Sequence, residues 1–476
     1  MPAVQNRPQT IDTRIGPLEF THDFANGYPT DATVQKLYDE RDFQRACQAY
    51  LWALPAVSFT AWQRGFTKGL GARNGQIVAL LSYEARRGVL TANATTPYYL
   101  AFADLSASGP MVLEMPARGV QGAINDSLQN AIPGTEAPGK YLVLGPGQKE
   151  PDNVTGYIVR RSPTVNIFLG VRLTDPDAES AKEALAHLQM YPYAQRDNPP
   201  KTEVLDAGAK AWTGLPPRGM EYWERLNDVI QSEPIEPRDL FFHAMLRPLG
   251  LEKGKPFKPD ARQTKILTDA ALVGEAMAKA NTADRRFAGV KYRPDGHWDF
   301  ALQLDADDPD AFWNLLDERA SWFYEAIGAG PGMAPKRPGP SSAYLGAYKD
   351  KGGKWLDGGT SYRLRVPPHP PVKLFWSVTV YDVDTRALIL NEQKIADRSS
   401  RMDLRKNKDG SVDIYCGPKA PAGFEKNWIP TVPDKNWFAY FRFYQPTEGY
   451  FDRSWPLPDF EQIETDADPE TFLAAR

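Results

Sequence analysis

The residues best suited to chemistry close an alternating apolar run in FWSVTVYDVDTR, residues 375–386. Read as one extended strand, the segment puts Trp376, Val378, Val380, Asp382, Asp384 and Arg386 on one face, and Phe375, Ser377, Thr379 and Tyr381 on the other. The first face passes from apolar to charged, the pattern of a buried strand opening into a polar cleft. In that cleft Asp382 is the candidate acid/base group. Arg386 is spaced to pair with it and to orient an anionic or carbonyl oxygen, with Trp376 and Tyr381 beside the substrate. Asp382 and Asp384 also have the oxygen chemistry of a calcium or magnesium site. The competing reading is a strand emerging into a turn, where such residues are solvated or cap the turn.

A second candidate is WFAYFRFY, residues 437–444, whose alternation gathers Phe438, Tyr440, Arg442 and Tyr444 on one face. Aromatic rings around one guanidinium suit a sugar or aromatic ring bearing an anionic group, so Tyr440 and Arg442 join the substrate-binding set. Sheet packing over a covered arginine stem explains the pattern equally. Nearer the N-terminus, Asn93, Thr95, Thr96 and Tyr98 precede an apolar strand, and Asn125 and Asp126 end GAIND after a Gly-rich turn. Tyr98 and Asp126 are candidate catalytic groups, and Asn93 and Asn125 candidate substrate contacts; turn-forming Asn and Asp are the plain alternative. Arg161 in RRSPT is a further candidate contact, although a strand-edge structural arginine fits as well.

The familiar catalytic templates are missing. No GxxxxGK[ST] phosphate loop, GxSxG elbow or HExxH pair occurs, and the glycines of GLGARNG lack dinucleotide-binding spacing. His22, His187, His243, His297 and His369 form no local metal pair, and Cys47 and Cys416 belong to no CxxC. No cofactor and no metal are therefore expected, and the chemistry falls to carboxylate, Tyr, Arg and Asn.

The elements that must position these groups follow from periodicity. Phe43, Ala46, Cys47, Tyr50, Leu51 and Leu54 mark one face of a helix that Pro55 should interrupt. From about residue 89 the period becomes two: Met111, Leu113 and Met115 alternate, then KYLVLGPG, then Val165 to Leu173 with Asn166, Phe168 and Arg172 on the opposite face. Between about 176 and 335 the pattern is mainly helical: residues 177–190 opening on Asp177 as N-cap, a helix about Ile266 to Ala271, and another from Phe312 to Ile327. After GAGPGMAPKRPGPSS strands return in SYRLRV, LFWSVTVYDV, SVDIYC and WFAYFRFY.

The 476 residues carry 56 Lys and Arg against 60 Asp and Glu, a net charge of −4, which argues against a nucleic-acid partner. With 42% hydrophobic and 24% charged residues the chain is globular, and its 37 glycines and 42 prolines imply many turns and short strands. No apolar window approaches the ~18 residues of a membrane span, and the leader lacks a signal-peptide pattern. The expectation is a cytoplasmic protein with no membrane partner, a small-molecule substrate or ligand, and compatibility with a homo-oligomer.

TANATTPYYLAFADLS, MVLEMPARGVQGAINDSLQN, FWSVTVYDVDTRALI and NKDGSVDIYCGPKAPAGFEKNWIPT together resemble proteins that combine domain of unknown function 1254 with domain of unknown function 1214. The similarity covers most of 45–195 and 340–460. It implies a mainly β fold with α: an N-terminal sandwich domain over 1–180, a mainly helical domain over 181–335, and a jelly-roll-like sandwich over 336–476. It also implies bacterial or fungal origin and many exported relatives, from which this leader departs. At 93–96 the family's usual turn carries an acidic residue, whereas Ala94 and Thr95 stand here. The functional expectation is a hydrolase or lyase acting on a small organic metabolite in a cleft between the two β domains. The alternative is a non-catalytic binder of a carbohydrate or aromatic metabolite. Burial of a carboxylate beside Tyr and Arg, with a cavity in front, separates the two.

Overall fold

A computed structural model describes residues 7–174, 178–304 and 311–464. By contacts the chain forms two compact units, Met1–Ala53 with Pro217–Met277, and Leu54–Pro216 with Ala278–Arg476. The mainly helical stretch of 181–335 thus contributes to both.

In the first unit Tyr50 stacks on Tyr222 at 3.9 Å, and the Tyr222 hydroxyl donates to the Tyr50 carbonyl. Gly274 permits this approach, since a Cβ there would lie 2.5 Å from the Tyr50 ring. Arg262 ties the helix Ala261–Ala283 to Asp39 and Asp42. The helix Asp31–Arg64 runs through Pro55 rather than stopping at it. Apolar residues before and after the proline, Leu51, Leu54, Val57 and Phe59, are all buried, and this packing outweighs one missing N–H. Asp177 lies outside the described residues; the helix it was expected to open spans Ala178–His187. The helix expected from 312 to 327 is instead two short ones, Ala311–Asn314 and Leu316–Glu325, and Ile327 falls beyond them.

The second unit contains two β-sandwiches. In the first, a five-stranded sheet orders Val204–Asp206, Ile77–Leu80, Tyr98–Asp104, Asn166–Leu173 and Val120–Asp126. It packs against a four-stranded sheet of Gln189–Pro192, Met111–Met115, Gly139–Leu144 and Ile158–Arg161. Period-two alternation sends Tyr99, Ala101, Ile167, Leu169 and Val171 inward onto Met111, Leu113, Tyr141 and Val143. In the second, a five-stranded sheet orders Trp298–Phe300, Ser342–Ala347, Trp437–Pro446, Val372–Asp382 and Asp397–Ser399, and faces the strands Trp428–Pro430, Val412–Gly417, Ser361–Val366 and Glu461–Ile463. Here Trp437 meets Tyr362 and Phe460, and Trp376 stacks on Phe441 at 5.6 Å.

The register of this sheet arranges its other face. Arg442 stands between Ser377 and Tyr344, and Thr379 between Tyr440 and Asp397. A face so rich in polar groups belongs in water on an isolated sandwich. Yet Ser377, Thr379, Tyr381, Tyr440, Arg442 and Tyr444 are all buried. Among the described residues no helix is long and apolar enough to cross a membrane.

Candidate functional site

The two five-stranded sheets turn their non-core faces toward a common cavity of about 180 Å³. Tyr98, Leu100, Gln121, Asn125, Phe168 and Arg172 wall it from one sandwich. Tyr344, Tyr440 and Arg442 wall it from the other, and Trp322 and the segment 326–333 close a side. Direct bonds join the faces: Arg442 Nη2 donates to the Thr91 carbonyl at 2.7 Å, the Tyr381 hydroxyl to the Ala92 carbonyl at 2.7 Å, and Thr95 Oγ1 to Asp397 Oδ2 at 2.8 Å. Thr91 adopts a left-handed backbone, φ 42°, where a β-branched residue is strained; its N–H donates to the carbonyl of Arg386, itself at φ 53°.

Arg442 is the unusual group. It is 3% exposed, ringed by Tyr344, Tyr381 and Tyr440 at 5.3–5.6 Å, and apart from the Thr91 contact its Nε and Nη1 meet no acceptor among the described residues. The hydroxyls of Tyr344, Tyr444, Ser377 and Thr379, on the same face, are equally buried and unpartnered among the described residues. Arg172 makes long contacts, 3.3 Å to Gln121 Oε1 and 3.4 Å to Ser342 Oγ, and lies over the Tyr444 ring at 5.8 Å. Guanidinium groups stay protonated at any working pH, so the cavity wall carries positive charge. Asp397 is the acid nearest to Arg442 in influence, but burial pushes its carboxyl up, toward the neutral form. Arg86 spends its donors on the carbonyls of Leu80, Leu81 and Ala94.

Behind the wall lies a second buried cluster. The Tyr440 hydroxyl donates to Glu325, whose oxygens also accept from Tyr348 at 2.7 Å and from Arg285 at 2.5 Å. Burial pushes the Glu325 carboxyl up, against the pull of Arg285. Glu325, Tyr348 and Arg386 line another cavity of about 250 Å³.

The structure brings Tyr98, Asn125, Tyr440 and Arg442 together at the first cavity, with the Tyr381 ring behind Arg442. Asp382 is elsewhere. The strand ends at Asp382, so Asp384 and Arg386 do not continue its face. Asp382 Oδ1 accepts the amides of Asp384 and Thr385, its carbonyl accepts the Arg386 amide, and Oδ2 pairs with Lys435 at 2.9 Å. Burial alone would raise its pKa, but the Thr385 amide and the Lys435 ammonium hold the carboxyl below its usual range. It caps a turn, with Oδ1 engaged by the amides of Asp384 and Thr385 and Oδ2 by Lys435. Arg386 does not pair with it; its Nε donates to the Tyr324 carbonyl and its Nη1 to the Asp384 carbonyl. Asp126 caps its own turn through the amides of Leu128 and Asn130. Asn93 folds the 93–98 turn, bonding Thr95, Thr96 and the Tyr98 hydroxyl. Trp376 points into the sandwich core, and Arg161 lies at the surface, paired with Glu150.

Sequence reasoning passed over Arg172, Tyr344, Trp322, Gln121, Glu136 and Glu325. Arg172 had a legible signal: it shares with Phe168 the face opposite an apolar strand face, as Arg442 does with Tyr440. Glu136 lines the same cavity, with Oε1 buried and unpartnered among the described residues.

Fold and cavity define a double-sandwich protein whose two polar sheet faces enclose a cationic, aromatic chamber. Residues 76–192 match the family described as Protein of unknown function (DUF1254), and residues 341–448 match Protein of unknown function (DUF1214), so the chain combines the two domains. It is similar in fold to the VPA0106 protein from Vibrio parahaemolyticus, at 18% identity and a TM-score of 0.55, over 89% of this chain and 100% of that one. A protein from Burkholderia cenocepacia described as putative uncharacterized aligns at 12% identity and a TM-score of 0.38, over 92% and 99%. No curated protein matches the chain.

Proposed function

We propose that the protein binds a small organic anion in the cavity between the two sandwiches, with Arg442 as the principal contact and Arg172, Tyr344, Tyr98 and Asn125 around it. The carrying observation is Arg442 itself: a nearly fully buried guanidinium among the residues that line the cavity, two of whose nitrogens meet no acceptor among the described residues. Burying a charge without a partner costs several kcal/mol, roughly, so a group kept in that state is explained by an anion that completes it. The site is also built on strands of two rigid sheets, which keeps the donors in place before the ligand arrives. The test is mass spectrometry of small molecules released from purified protein, compared with an Arg442→Met variant. An organic anion retained by the native chain and absent from the variant supports the reading. A neutral ligand retained equally by both contradicts it.

A hydrolase or lyase acting on the bound molecule is a second reading, favoured by one observation: Glu136, one of whose carboxylate oxygens meets no donor among the described residues, lines the cavity with Tyr98 and Asn125. In that case Glu136→Gln abolishes conversion of the retained molecule while leaving its binding intact. Conversion undiminished in that variant removes Glu136 from the chemistry.

A further inference from the structure

Resting on the anion-binding reading, we propose that the ligand is a carboxylate carried on an apolar body the size of a single ring. Volume sets the upper bound. An apolar cavity of about 150 Å³ accepts benzene; this one, at about 180 Å³, has room for one ring and a small substituent. The walls set the body's character. Trp322 and Tyr344 lie side by side at 6.1 Å, and the Arg442 guanidinium sits 5.6 Å from the Tyr344 ring, so an aromatic row leads to the charge. Trp322 is locked in that row by its Nε1, which donates to the Gly328 carbonyl at 2.8 Å. Leu100 and Phe168 face it from the other sandwich. Such surfaces bury a flat apolar ring, while the polar Tyr98, Gln121 and Asn125 belong to the other sandwich.

The donors set the charged end. Arg442 and Tyr344 are paired across adjacent strands and both line the cavity, a guanidinium and a phenol suited to the two oxygens of an anion. Beyond one ring the cavity leaves room for a small group, and a planar carboxylate takes up less of it than a tetrahedral phosphate. Carboxylate therefore fits better than phosphate.

Isothermal titration of the full chain with benzoate, acetate, benzamide, 2-naphthoate and phenyl phosphate tests the proposal. Benzoate is expected to bind at least about tenfold tighter than each of the others. Arg442→Met should lower benzoate affinity by a similar factor or more, and Ala326→Leu, which fills the cavity without touching the charge, should do the same. The panel on the native chain is decisive even if a variant fails to fold. Acetate, naphthoate or phenyl phosphate binding as tightly as benzoate overturns the ligand class while leaving anion binding standing. Benzamide matching benzoate, or no binding by any member, overturns the anion reading itself.

Discussion

Two buried arginines less than 60 residues apart in sequence sit in opposite chemical conditions. Arg386 and Arg442 are each 3% exposed. Around Arg386 the turn is self-contained: its side chain grips two carbonyls and stacks 4.2 Å above Tyr324, while neighbouring Asp382 takes two amides and a lysine. Arg442 makes one hydrogen bond, to the Thr91 carbonyl, stands among three tyrosine rings, and keeps two nitrogens that meet no acceptor among the described residues. Burial and charge alone therefore do not mark a binding site. The distinguishing feature is hydrogen-bonding capacity left open where water is scarce.

Substitution separates the two arginines. The largest effect is expected from Arg285→Ala, which strands Glu325 as a fully buried carboxylate between two phenols and should cost about 3–5 kcal/mol in chemical denaturation. Arg442→Met behaves in the opposite way: it removes an uncompensated charge, so stability without ligand holds or rises, whereas ligand binding weakens by about 2–5 kcal/mol. A large loss of stability without ligand would show that Arg442 is structural. Asp382→Ala removes a turn cap and should cost about 1–2 kcal/mol with ligand affinity unchanged, because Lys435 is half exposed and its ion pair adds little. Reduced affinity in that variant would return Asp382 to the site.

The same aspartate fixes a pH dependence. Its folded pKa is held below the unfolded value, so its contribution is complete above the unfolded value of about 3.9 and disappears as pH falls through the folded one. Asp382→Asn should flatten the acid limb of the melting-temperature profile; an unchanged limb would show that its carboxylate is not stabilised. The smallest effect is expected of Arg161→Ala, a surface pair with Glu150, at under about 0.5 kcal/mol and with no change in binding.

What the sequence made legible followed from period two. The strands around 111–115, 165–173, 375–382 and 437–444 alternate cleanly, and that alternation separates Tyr440 and Arg442 from Phe441 and Phe443. Alternation says nothing about where a strand stops, and this one stops at Asp382. That depends on an aspartate folding back on the amides two and three residues ahead, a signal present in YDVDTR but shared with many open sites. The cavity was not legible at all. Arg172 and Ser342, or Arg442 and Thr91, meet across 170 and 351 residues of chain, and no local pattern encodes such a meeting.

Arg442 is held ready for an anion. A bromide soak of crystals of the full chain, read by anomalous scattering, checks this. Bromide is expected in the cavity beside the Arg442 guanidinium. Ordered water at both nitrogens, with no bromide in the cavity, would contradict it.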